Sequence, residues 1–136
     1  MYSHLNLHTL VIQVLDLNTS KSFYKRLFEL ISSVGAEEVK CIEAEQQVQF
    51  VGKFILIIEQ IKETTYLVDP THRVGIKKFS LSVNSPQIID EINRQLTNVN
   101  IVSLPQSYDY AEGYYAYSFL DPDGIEVELV YQDSIQ

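Results

Sequence analysis

The sequence predicts an α+β fold: two βαβββ modules whose sheets form a cupped mixed sheet, with the helices outside. Three observations predict it. Each half of the chain runs strand, helix, strand, strand, strand. Like residues recur at an offset of 69: Val14 on Val83, Phe23 on Ile92, Leu27 on Leu96, Phe50 on Phe119 and Glu59 on Glu128. The strand that opens each half alternates an apolar face with a mixed one. Residues 1–136 are read as a single domain, with module 1 at about 1–62, a connector at about 63–75 and module 2 at about 76–136.

The first strand is Leu7–Leu15, with Leu10, Ile12 and Val14 on one face and Thr9, Val11 and Gln13 on the other. Asp16 or Asn18 then caps a helix from Thr19 to about Leu30, because a short polar side chain accepts the free N–H groups of a first turn. Phe23, Leu27 and Leu30 give that helix its buried stripe, with Tyr24 and Phe28 beside it. Gly35 ends the unit. Val39–Ala44 and Gln46–Val51 read as strands, Gly52-Lys53 as a turn, and Phe54–Gln60 as an apolar strand with Glu59 near its end. The connector contains Asp69-Pro70.

The second half begins with Ile76–Val83, where Phe79, Leu81 and Val83 alternate with Lys78, Ser80 and Ser82. Asn84 or Ser85 caps the next helix and Pro86 takes its first position, where a missing N–H costs nothing. Ile88, Ile89, Ile92 and Leu96 form its stripe, and Asn98-Val99-Asn100 breaks it. Ile101–Leu104 is a short strand, and Pro105–Glu112 a loop holding Tyr108 and Tyr110. The chain closes in a hairpin around Asp121-Pro122-Asp123-Gly124, where Pro presets φ and Gly accepts a positive one. By alternation Tyr115 and Tyr117 lie under the helix with Phe119. Gln47, Gln49, Ala116 and Ser118 point into the trough.

Composition narrows the classes. The chain is 46% hydrophobic, enough for a core, and no apolar run approaches the roughly 18 residues of a membrane span. The start, MYSHLNLHTLVIQV, lacks the basic region of a secretory signal, so a cytoplasmic protein without a membrane partner is expected. Cys41 is the single cysteine, which leaves no internal disulfide and no multi-cysteine metal site. A net charge of −8 argues against nucleic acid. No glycine-rich phosphate loop is present. Glu126 and Glu128 share one strand face, so they do not oppose each other across a substrate.

The stretches HTLVIQVLDLNTSKSFYKRLFEL, FSLSVNSP and YSFLDPDGIEVELV resemble the vicinal-oxygen-chelate superfamily, which holds glyoxalase I, extradiol dioxygenases, fosfomycin-resistance enzymes and bleomycin-resistance proteins. The resemblance carries two patterns, V-x-D-x-x-x-S-x-x-F-Y and F-x-D-P-D-G-x-x-x-E-L. It implies paired modules, a homodimer, and a small molecule bound in the cupped sheet. In metal-using members the ligands come from the first and last strands of each module. The matching positions are Thr9, with His8 one residue early, then Glu59, Lys78 and Glu128. The carboxylates are kept and the imidazole or glutamine positions are not. An ammonium has no acceptor lone pair, so Lys78 is no metal ligand while protonated. Thr9 to Glu59 and Lys78 to Glu128 span the same number of residues, and in the family such pairs converge. An ion pair is therefore expected where a metal would bridge.

The reading is a small-molecule-binding protein of this type that needs no cofactor. Its expected ligand-binding residues are Thr9, Gln13, Glu59, Lys78, Ser80, Tyr108, Tyr110, Tyr114 and Glu128. Two alternatives stand beside it. A β-bulge could turn His8 inward to hold a divalent metal with Glu59 and Glu128, giving a lyase, isomerase or dioxygenase. Or the trough could be vestigial in a protein–protein interaction module.

Overall fold

Both halves fold in the expected order. A computed structural model describes residues 5–35, 38–61, 75–109 and 112–133; most of the connector and Tyr110 lie outside them. Module 1 consists of β1 (Thr9–Val14), α1 (Leu17–Ser33), β2 (Lys40–Glu43), β3 (Gln47–Val51) and β4 (Ile55–Gln60). Module 2 consists of β5 (Lys78–Ser82), α2 (Pro86–Gln95), β6 (Asn100–Ser107), β7 (Tyr114–Leu120) and β8 (Glu126–Gln132). The sheets have strand orders β1-β4-β3-β2 and β5-β8-β7-β6. In each, the first strand is parallel to the last and the other neighbours are antiparallel. Both are mixed four-stranded sheets with one helix each, as the sequence predicts.

The local signals act as physical chemistry requires, with three shifts of boundary. Asp16 caps α1, its carboxylate accepting from Asn18 N at 3.1 Å, so the helix begins at Leu17 rather than Thr19. It runs on to Ser33, and Gly35 follows at φ +83°. Ser85 caps α2, with Pro86 in its first turn. β6 is longer than expected, reaching Ser107 through Pro105. Proline is tolerated there because β6 is an edge strand whose register with β7 shifts twice, between Ile101 and Ser103 and between Ser103 and Gln106.

One hydrophobic core serves both modules. Ile12 and Val14 of β1, Leu81 of β5 and Val127 and Leu129 of β8 point into it with Leu27, Ile89 and Ile92 of the helices. Helix α1 joins the halves. Phe23 meets Phe119 of β7 with ring centroids 6.0 Å apart, and Tyr24 lies 6.5 Å from both Phe50 and Phe79. The Tyr24 hydroxyl donates to the Asp121 carboxylate in the β7–β8 turn at 2.6 Å. The other Asp121 oxygen accepts from the amides of Asp123 and Ile125, each at 2.9 Å. Burial, with Asp121 beside it, holds the Tyr24 hydroxyl protonated well above its ordinary range. Arg26 donates to Gln95 O at 3.1 Å and to Thr97 Oγ1 at 3.0 Å. Among the described residues no helix is long and apolar enough to cross a membrane.

Candidate functional site

The faces turned away from the helices carry the polar residues that the alternation places there. On β8 a period of two sets Glu126, Glu128 and Val130 on that face. Ser80 lies beside Glu128 in the parallel ladder, and Ser118 lies opposite it on β7. Glu128 is only 5% exposed. A carboxylate at that depth is costly unless it is hydrogen-bonded. Here Ser80 Oγ donates to its Oε1 at 2.5 Å and Tyr114 Oη at 2.9 Å. Lys78 Nζ stands 3.4 Å from Oε2, and 3.8 Å from Glu126 Oε2. Both Glu128 oxygens are thus engaged, while the Lys78 side chain stays 42% exposed. Tyr108 packs edge-on against Tyr114 at 5.8 Å between centroids, and its hydroxyl shares a hydrogen bond of 2.9 Å with Ser103 Oγ.

The first sheet holds a smaller polar pair. Gln13 and Glu59 are neighbours in the β1–β4 ladder, and Gln13 Nε2 donates to Glu59 Oε1 at 3.1 Å. Gln47 stands opposite Glu59 on β3.

The expected residues divide accordingly. The structure brings Lys78, Ser80, Tyr114 and Glu128 together, sets Tyr108 against them, and pairs Gln13 with Glu59. Thr9 does not meet Glu59: its ladder partner is Ile55, and its hydroxyl bonds His8 Nδ1 at 2.6 Å. The cause is register: the ladder partner of Glu59 is Gln13, four residues beyond Thr9, while that of Glu128 is Ser80, two beyond Lys78, whose long side chain still reaches it. Glu59 sits beside a residue 46 positions earlier, Glu128 beside one 48 positions earlier. A shift by an even number of residues leaves every side chain on the same face, so the alternation of the sequence carries no signal of it. Ser103 escaped sequence reading because its bond to Tyr108 goes with the register shifts of β6 on either side of it, which strand alternation does not reveal.

The residues considered for a metal are dispersed within the chain. His8 precedes β1, Glu59 lies toward the far end of β4, and Glu128 belongs to the other sheet with Lys78 against it. Among the described residues no three His, Cys, Asp or Glu side chains gather at metal-holding spacing. Within the chain, His8, Glu59 and Glu128 do not converge on one point where a divalent ion could sit.

By sequence, neither a protein-family profile nor a curated protein matches the chain. Solved structures match over nearly its whole length. A candidate glyoxalase from Bacillus halodurans is similar with a TM-score of 0.74 at 21% identity, over 92% of this chain and 94% of that one. A glyoxylase/bleomycin resistance protein/dioxygenase domain from Frankia sp. gives 0.66 at 19% identity, over 100% and 96%. A lactoylglutathione lyase from Agrobacterium tumefaciens gives 0.64 at 17%, over 93% and 92%. The chain has the fold of these glyoxalase, bleomycin-resistance and dioxygenase proteins, consistent with the vicinal-oxygen-chelate resemblance.

Proposed function

We propose that the chain binds a small organic molecule on the uncovered face of its second sheet, without a metal, and that Lys78 receives the ligand's polar end. The observation that carries this reading is the bonding of Glu128. Its carboxylate is buried on a face that neither described helix covers, and hydroxyls from two strands and one ammonium converge on it. Such a carboxylate fixes its donors in place. Lys78 is drawn to Glu128 and Glu126 while its side chain stays 42% exposed, so an ammonium at the solvent edge of this face suits a carbonyl, carboxylate or phenolate oxygen. Tyr108 and Tyr114, packed edge-on, supply an aromatic corner beside it, one ring face of which suits a planar ligand ring. The second wall comes from the first sheet of another copy, where Thr9, Gln13 and Glu59 face outward.

The test is a thermal-shift screen of planar carboxylates, phenols and their neutral counterparts, on protein purified without chelator or metal-affinity tag. At least one oxygen-bearing ring compound raises the midpoint saturably, and Lys78→Ala weakens it about tenfold or more, the value of one charge-assisted hydrogen bond. An unchanged response in Lys78→Ala overturns the site. Stoichiometric divalent metal in elemental analysis overturns the metal-free mechanism.

A further inference from the structure

We propose that a second site, on the opposite side of β5, takes an amphipathic anion: an apolar chain or ring with one anionic head. A cavity of about 460 Å³ lies there, on the helix side, between β1, α1, the β3–β4 turn and the edge of β5. That is the size of an ordinary ligand pocket. Glu128, Lys78, Tyr108 and Tyr114 take no part in its lining; Ser80 is common to both sites, its hydroxyl bonded to Glu128 on one side of β5, and the proposal does not depend on the first site being occupied.

Its chemistry is uneven in a way that selects a ligand. Leu10, Phe28, Phe50, Phe79 and Leu81 make the walls apolar. Among the described residues, Lys53 in the turn is the cation on the lining, it makes no ion pair, and no Asp or Glu lines the cavity. The chain as a whole has 18 acidic residues against 10 basic ones, so a described lining with a lysine and no acid runs against the composition. β5 adds backbone donors. Lys77 O accepts from Glu126 N and Val83 N donates to Val130 O, so these alternate residues pair with β8. The amides of Ser80 and Ser82 between them point away from β8, off the open edge of the sheet. Both residues line the cavity. An anionic head near Lys53 and this edge would leave its apolar body among the phenylalanines.

Decanoate and decanol share one apolar body and differ in the head. Each is titrated into the full chain by calorimetry, with amide NMR shifts mapping the contact. Decanoate is expected to bind saturably, one per chain, and decanol about tenfold more weakly. Lys53→Glu, at an exposed turn, should weaken decanoate by about tenfold or more, leave decanol unchanged, and melt as the parent does. Amide shifts should fall on 52–54 and 79–83. Non-saturable decanoate binding, equal affinity for the alcohol, indifference to Lys53→Glu, or shifts centred on Glu128 and Tyr114 would each overturn the proposal.

Discussion

Tyr117 carries a hydroxyl that is fully buried and finds no partner among the described residues. A buried, unbonded hydroxyl is a net liability, because its lost hydration is not replaced. Tyr117→Phe keeps the ring and removes that liability. Stability in urea denaturation should therefore hold or rise by about 1 kcal/mol, and a fall of that size would show that the hydroxyl is bonded after all. Tyr115 stands two residues away on the same face, yet its hydroxyl donates to Asp90 on α2. That bond, then burial, pushes its pKa up to about 12. The unfolded tyrosine titrates near 10, so the raised folded value adds stability that is whole below about pH 10 and lost by about pH 12. Tyr115→Phe should flatten the fall in stability across that window, and an identical slope in the two proteins would remove the bond from the account. Sequence alternation placed both rings under the helix. It could not tell which hydroxyl would be answered, since that depends on where α2 rests over the sheet.

Turns and registers differ in how far the sequence reveals them. The β7–β8 hairpin was readable from Asp121-Pro122-Asp123-Gly124 because its constraint is local: Gly124 sits at φ +86°. Gly113, which enters β7 at φ +73°, has a second constraint that is not local. A Cβ there would come within 2.6 Å of Asp133 Cβ and 3.1 Å of Asp133 N, where the end of β8 returns beside it. A Cβ at Gly124 meets nothing within 4 Å. Gly124→Ala should thus cost only the left-handed backbone penalty, about 1 kcal/mol, and Gly113→Ala distinctly more. Equal losses in denaturant midpoint would contradict the close approach. The slip that sets Gln13, not Thr9, beside Glu59 belongs with the non-local features. It is decided by hydrogen bonding between strands far apart in sequence, and a shift by an even number of residues alters no facing.

At the scale of the whole molecule, the repeat, the alternation and the caps were enough to specify two βαβββ modules. They did not show how one helix would serve both. Tyr24 on α1 touches Phe50 of its own sheet, Phe79 of the other, and Asp121 in the far hairpin, so the modules are tied together on the helix side. The opposite faces are left more open. Val11 is 47% exposed at the middle of β1, on the side that carries Gln13 and Glu59. Its ladder neighbour on this face is Ile57, and an apolar strip between the polar pairs suits a face that another surface covers. The proposed occupant is the second sheet of another copy, whose Lys78–Glu128 pair would then oppose Gln13–Glu59 across one pocket. Sedimentation should accordingly give twice the 15.6 kDa of the chain. Val11→Arg puts a charge on that face without entering the core. It should shift the protein toward monomer and abolish the ligand response that depends on Lys78, with the melting of each chain's own core retained. A variant that stays dimeric and still responds to ligand would place the second wall of the pocket elsewhere.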